Sequence, residues 1–382
     1  MNNKVVFHGK GGEFFGIWIV NILLSIVTLG IYSAWAKVRT KKYFHGNLEL
    51  DGDRFDYHAT PKQILIGRLI ASVCVLVWAV ASNFMPVIAS LLMLVFVGFS
   101  PLLARNNARF DARMTSYRNV RFNFNGSLKG AYWAMLGCGL FSSIPLVILL
   151  IAAGAVRDTS IVASVLFIIL SFAAYIFIFA NVTASITRYF ANGYQYGDRQ
   201  FSAEISTGFF VKTVLFAALL GIGIFIAVFG VIAIVAGMGA MVSVSSGQMD
   251  SGFGQILGAV GGMGGMACMV LLMVLVSAFI QVRARNYTFA QMKVEGEPEY
   301  GFSSTLTTGG FLSLTVTNFL AQVFSLGLAR PWVMVRTSHY FADHTLVIGD
   351  LSQLKAKGEL TDDGAAIADE VAAAFDIELG LG

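Results

Sequence analysis

TLGIYSAWAKVRTKKYFHGNLELDGDRFDYH, residues 28–58, contains in one stretch the elements that recur along the chain. An apolar segment ends in a turn bearing Lys37, Arg39, Lys41 and Lys42, and reaches the aromatic pair Tyr43-Phe44. It then alternates through Leu48 and Leu50 into Asp51-Gly52-Asp53 and out through Phe55 and Tyr57. Alternation on both sides of Asp-Gly predicts a two-stranded hairpin, because the tight turn needs positive φ at its central residues.

The same cassette returns at 109–124 (RFDARMTSYRNVRFNF), 188–204 (RYFANGYQYGDRQFSAE) and 286–302 (NYTFAQMKVEGEPEYGF), and in part at 339–350 (HYFADHTLVIGD). From Tyr43 to Gly52, Phe110 to Asn119, Tyr287 to Gly296 and Tyr340 to Gly349 the spacing is nine residues, and the third copy is one shorter. A fixed internal period marks a repeated supersecondary unit. Val5 to Gly9 resembles the second strand of a cassette and Thr345 to Gly349 the first, so the two ends are expected to pair.

Between the cassettes lie apolar runs in three pairs: 64–82 with 84–104, 131–155 with 160–186, and 208–241 with 253–282. Each reaches the roughly 18 residues needed to cross a bilayer. Of 382 residues 56% are hydrophobic and 13% charged, against about 25% charged in an ordinary soluble domain. Such a chain cannot cover a soluble surface with polar groups. Thr60-Pro61, Ser127 and Thr207 supply helix-start chemistry where each cassette re-enters the next run. Lys and Arg crowd the cassettes and are sparse in the connections within each pair, so the positive-inside bias makes the cassettes cytoplasmic. The N-terminus shows no cleavable signal.

Two further segments, 14–36 and 309–335, share one module: Asn21, Leu29-Gly30, Trp35 and Val38-Arg39-Thr40 match Asn318, Leu326-Gly327, Trp332 and Val335-Arg336-Thr337 at identical spacing. If each crossed the membrane once, the basic copies on its two sides would face opposite compartments. A re-entrant helix–break–helix turning at Gly30 and Gly327 avoids this. Such backbone is tolerated only where protein or a water-filled cavity covers it, which places both segments inside the bundle.

The expected fold is a polytopic α-helical membrane protein with three transmembrane hairpins, two matched re-entrant segments and a small cytoplasmic β layer made of the repeated linkers. The membrane domain, 1–350, divides into units 1–57, 58–126, 127–203, 204–302 and 303–350. An acidic cytoplasmic tail, 351–382, follows, with Ile367, Val371 and Phe375 marking a short amphipathic helix.

Through GGEFFGIWIVNILLSIVTLGIYSAWAKVRTKKYFHGNLELDGDRFDYH (11–58) and its C-terminal counterpart, the chain resembles the YjgN family of bacterial inner-membrane proteins over essentially the whole membrane part. TLGIYSAWAKVR is the most specific piece. The C-terminal copy departs from it with Ala329-Arg330-Pro331 in place of Tyr32-Ser33-Ala34. The resemblance implies an inner-membrane location and this topology class, and it carries over no activity and no functional residue.

Candidate chemistry is sparse. The apolar runs hold no Asp or Glu, which argues against a carboxylate-coupled carrier. The local signatures of nucleotide, zinc-protease and serine chemistry are missing, so neither an enzyme nor a cofactor is expected. Asn21, Asn318 and Gln322 are amides within apolar helices, either bonding helix to helix or lining a polar path past the turns at Gly30 and Gly327. Arg39 and Arg336 stand four residues after Trp35 and Trp332, which suits contact with lipid headgroups or a ligand. His8, His45, His58, His339 and His344 all fall near the two ends; dispersed surface positions are favoured over a metal site. Arg68 and Lys212 read as snorkelling cations. Cys74, Cys138 and Cys268 are isolated core residues.

Gly258, Gly261, Gly262, Gly264 and Gly265 allow close helix approach within the bundle or between copies of the chain in a homo-oligomer. Membrane lipids are the expected partners, and no nucleic acid is. The leading functional expectation is a transporter or channel-like protein for a small or amphipathic solute. The second is a membrane scaffold whose basic cassettes bind anionic lipid.

Overall fold

The computed structural model describes residues 1–245 and 251–354, and side chains throughout these except at 232 and 235–263. The packing of Gly258, Gly261 and Gly262, and the expected tail helix with Ile367, Val371 and Phe375, lie outside the described residues.

Five units of one plan follow one another, each a strand, a helical pair and a returning strand. The first is β1 (Asn2–Phe7), α1 (Gly11–Val27), α2 (Ser33–Gly46) and β2 (Leu48–Leu50). The second is β3 (Asp53–Tyr57), α3 (Pro61–Phe84), α4 (Pro86–Met114) and β4 (Thr115–Tyr117). In the third, β5 (Val120–Phe124) leads to α5 (Leu128–Tyr132), which continues through a π-helical turn, Trp133–Gly137, as α6 (Cys138–Ala155). α7 (Ile161–Ala191) and β6 (Tyr194–Tyr196) complete it. The fourth is β7 (Arg199–Ala203), α8 (Thr207–Ser245), α9 (Ser251–Gln291) and β8 (Met292–Val294). The fifth is β9 (Tyr300–Ser304), α10 (Thr308–Phe324), α11 (Arg330–Asp343) and β10 (Thr345–Ile348).

Units two to four carry the long helices. Among the described residues six stretches are long and apolar enough to cross a membrane: Pro61–Phe84, Pro86–Met114, Leu128–Ala155, Ile161–Ala191, Thr207–Val231 and Gly264–Gln291. They leave large apolar side chains such as Leu69, Leu76, Ile148 and Leu219 exposed on the outside of the bundle, as a lipid-facing surface requires.

The strands do not form the small layer expected from the cassettes; they close into a ten-stranded barrel in the order β1-β10-β9-β8-β7-β6-β5-β4-β3-β2. Register explains why. Val5 lies opposite Leu50, Phe55 opposite Tyr117, Phe122 opposite Tyr196, Phe201 opposite Val294 and Phe302 opposite Val347, one pair from each unit. These ten side chains make a single inward belt and share one core cluster. An open layer would leave two edges of unpaired backbone groups, which closure removes. The ends of the chain supply the closing pair through Asn2–Ile348, Asn3–Val347 and Lys4–Leu346. Only the first half of β1 does this, because Val5, Val6 and Phe7 pair with β2 instead.

One rim carries tight turns, with Asp51 and Gly52 at φ 52° and 82°, and Arg118 and Asn119 at φ 48° and 62°. All helical pairs leave from the other rim. There the cassette's first aromatic residue fastens units one, three and four: the hydroxyls of Tyr43, Tyr189 and Tyr287 bond the backbone of Lys10, Ser127 and Ser206, just before the first helix of their own unit. The residue before the aromatic reaches the next unit. Arg188 donates to the Ile205 carbonyl at 2.7 Å, Asn286 to Leu306 at 2.8 Å and His339 to Gly9 at 2.9 Å, the last bond joining unit five to unit one. Arg105 plays the same part toward Gly126 at 2.7 Å. Several cations that the sequence assigns to membrane topology thus also hold the ring of units together.

Candidate functional site

The two short helical pairs are built alike. The α1–α2 and α10–α11 breaks put Leu29 and Leu326 at φ 50° and 52°, followed by Gly30 and Gly327 at 91° and 87°. Gly30 and Gly327 donate back to the carbonyls of Ser25 and Gln322 at 2.7 and 2.8 Å, the bond that ends a helix on a left-handed residue. The hydroxyls of Thr28 and Ser325 then accept from the N–H groups of Tyr32 and Ala329, which starts the second helix. Both tip leucines are 93% exposed, so two strained apolar residues stand at the ends of the two pairs.

Residues that the sequence treats as separate candidates meet across these breaks. Arg39 reaches back to Asn21 Oδ1 at 3.4 Å and to the Tyr32 hydroxyl at 3.2 Å. Arg336 reaches Asn318 Oδ1 at 3.3 Å and Thr317 Oγ1 at 2.8 Å. Trp35 stacks on Tyr32, and Trp332 packs on Phe15 and against Gly11, where any Cβ would collide with its indole. The aromatic members of the expected headgroup pairs therefore pack partly within the fold. The copies differ at one atom. Asn318 Nδ2 donates to Thr337 Oγ1 at 3.1 Å, whereas Asn21 Nδ2, in a residue 4% exposed, has no hydrogen-bond partner among the described residues.

Asn21 lines a cavity of about 1240 Å³ enclosed by α1, α2, α3, α4, α7, α9 and α11. Lys37, Lys41, Arg68, Arg285 and Arg330 contribute cations to its wall and Asp111 a carboxylate. Lys41 binds that carboxylate at 2.6 Å. Arg68 lines this interior space, which departs from the outward snorkelling expected of it. Gln322 and Asn318 line a neighbouring cavity of about 450 Å³, which also meets Arg285.

Below lies the interior of the barrel, an apolar cavity of about 500 Å³ lined by the belt residues together with Phe44, Phe289 and Phe341. Phe44, His45, Arg285, Phe289, Met292 and Ser338 border both this and the cationic cavity and form a collar between them. The Arg285 guanidinium sits between the rings of Phe289 and Phe341, 4.4 and 4.6 Å from their centroids, and donates to Thr345 Oγ1 at 3.3 Å. Burial pushes the His45 imidazole below its ordinary value, and its Nδ1 bonds the Lys41 carbonyl at 2.9 Å. At the turn rim, Leu351 and Leu354 close the barrel. Arg118 ties the Leu351 carbonyl at 2.5 Å to Asp51 and Asp53, and the Tyr300 hydroxyl holds the Asp350 carbonyl at 3.1 Å. Inside, burial pushes Tyr117 and Tyr196 up to about 12, so both remain donors, to the carbonyls of Leu50 and Tyr117.

The histidines are distributed around the helix rim: His8 meets Glu49, His58 meets Ser116 and His344 bonds the Tyr340 carbonyl. Among the described residues no group of three His, Cys, Asp or Glu side chains is placed to hold a metal ion. Sequence reasoning missed Arg285, Thr288 and the collar. The available signal was a cation and a hydroxyl within the run RARNYTF, 283–289, where the cations were read only for topology.

A family described as "Bacterial protein of unknown function (DUF898)" matches residues 2–374. The inner membrane protein YjgN of Salmonella typhimurium is 29% identical over 372 residues, covering 95% of this chain and 91% of that protein. Inner membrane proteins YjgN from two Escherichia coli strains are each 27% identical, over 361 and 362 residues, covering 92% of this chain and 90% of theirs. No solved structure matches. Six helices of membrane-crossing length and relatives named as inner membrane proteins agree on a membrane protein.

Proposed function

From the premise that the chain belongs to the DUF898 family, we propose that it transports an amphipathic solute, with the polar end in the cationic cavity and the apolar end in the barrel. The observation that carries this reading is the shared collar, which sets a wall of cations directly beside an interior of aromatic and aliphatic side chains. A pocket of this size with few polar groups is a common form of ligand site.

The cations of the helix ends favour a cytoplasmic barrel and cytoplasmic termini. The short pairs are read as re-entrant because each turns back through a break at Gly30 or Gly327; their tips, with Val27, Leu29 and Ile31, and Phe324, Leu326 and Leu328, are exposed, so the protein cover expected over the breaks is not supplied by the described residues. The scaffold alternative has less support, because Arg105, Arg188 and Arg199 are engaged by backbone carbonyls within the fold.

The test is a dithionite assay on liposomes holding the purified protein and phospholipids with a nitrobenzoxadiazole label on one tail. Protein-dependent bleaching beyond the outer leaflet is expected, and it should fall to the protein-free level in Val294→Trp, which fills the barrel cavity. Bleaching that stops at the outer leaflet with the unaltered protein counts against transport.

A further inference from the structure

Among the buried polar atoms of residues on the wall of the cationic cavity, Asn21 Nδ2 and Thr288 Oγ1, in residues 4% and 5% exposed, have no hydrogen-bond partner among the described residues. Leaving such groups unsatisfied costs about 1–3 kcal/mol each, so orphans that share one polar cavity point to something that fills it. The identity of the orphans narrows the chemistry. Asn21 Oδ1 already accepts from Arg39, so its free end is a donor. Thr288 Oγ–H is able to donate as well. Around them stand Lys37, Arg68 and Arg330, while the one carboxylate of the wall, Asp111, is taken by Lys41. A cavity with donors, cations and a neutralised acid suits an anion with several acceptor oxygens.

The matched half of the molecule provides an internal comparison. In the C-terminal copy Thr337 satisfies the Asn318 amide. In the N-terminal copy Thr40 occupies the corresponding position and lines the cavity, but Asn21 Nδ2 has no partner among the described residues. The two copies are alike in sequence spacing and in the Arg–Asn bond, and both threonines line the large cavity, but only Thr337 bonds its asparagine. The collar then sets what is attached to the anion, because Phe44, His45, Arg285, Phe289, Met292 and Ser338 line both the cationic cavity and the apolar interior of the barrel.

We propose that the cationic cavity binds the anionic phosphomonoester headgroup of a membrane amphiphile, with Asn21 and Thr288 donating to its oxygens, Lys37, Arg68 and Arg330 balancing its charge, and the tail directed past Arg285 into the barrel. This rests on the amphiphile reading above and adds the class of headgroup. A phosphate group provides enough acceptors for two neutral donors and several cations at once, which a single carboxylate does not.

The test is isothermal titration of the full chain in phosphatidylcholine nanodiscs with dihexanoyl phosphatidic acid, dihexanoyl phosphatidylcholine and inorganic phosphate. Phosphatidic acid should bind at least about tenfold more tightly than either of the others. Asn21→Asp keeps the size of the side chain and replaces the open donor by an acceptor, and should weaken phosphatidic acid by about tenfold while leaving phosphatidylcholine unchanged. Thr288→Val, which removes only a hydroxyl, should weaken it by about threefold and serves alone if Asn21→Asp does not fold. Equal binding of the two lipids, or a variant that binds phosphatidic acid as the unaltered chain does, overturns the headgroup site and leaves the amphiphile reading intact. Inorganic phosphate binding as tightly as phosphatidic acid overturns the lipid source. Failure of both lipids to bind overturns the amphiphile reading itself.

Discussion

Phe124→Ala should destabilise the protein by about 3–5 kcal/mol, read as a large fall in the unfolding temperature of the purified chain in detergent. Phe124 is fully buried where β5 leaves the barrel, and its ring meets Tyr189, Phe190 and Tyr194. Two glycines press on that ring: a Cβ at Gly126 would stand 2.6 Å from it, and one at Gly193 closer still. Neither glycine has a side chain that can move into the vacated space, and the Asn125 N–H to Gly193 carbonyl bond at 2.8 Å fixes the backbone on both sides. The void therefore persists, and the cost falls toward the upper end of what aromatic truncation produces. A loss under about 1 kcal/mol would mean that the rim rearranges freely, which the repeated Tyr and Arg fastenings argue against.

Arg285→Glu is expected to cost about 3 kcal/mol or more and to abolish binding in the titrations above. The guanidinium lies between two ring faces, each attractive to a cation by roughly 0.5–2 kcal/mol. A carboxylate there would face the negative faces of Phe289 and Phe341 and would lose the donation to Thr345. Arg285→Met keeps the length of the side chain without charge and isolates the two effects. It should cost about 1–2 kcal/mol and weaken binding less than the reversal does. If Met and Glu behave alike in unfolding temperature and binding, the charge at the collar has no role in either.

Much of this architecture was legible because the cassette repeats. The Asp51-Gly52 and Arg118-Asn119 turns, the breaks at Leu29 and Leu326, and the pairing of the two chain ends all follow from local pattern. The barrel did not. Strands such as Leu48–Leu50 and Thr115–Tyr117 have only three residues, and each strand adds one residue to the inward belt. Alternation over so short a span does not distinguish an open layer from a closed one; closure depends on the register summed around all ten strands.

The site was partly legible for the same reason. Asn21 and Arg39 were both visible as unusual residues, but their bond crosses a helix break, so periodicity along one helix does not join them. The cavity is assembled from side chains of several units, and no single cassette contains it. His45 and Thr288 sit inside the cassettes, where a pattern read for topology masks any second role.

The central claim is that an amphiphile places its head among the cations and its tail in the barrel. The most direct measurement is photolabelling of the purified chain with a phosphatidic acid that carries a diazirine at the end of one acyl chain, followed by peptide mapping. Adducts on the belt strands, at Phe55, Tyr117, Phe201 or Phe302, are the predicted result. Adducts confined to outward-facing helix residues such as Leu69, Leu76 and Ile148 would contradict it.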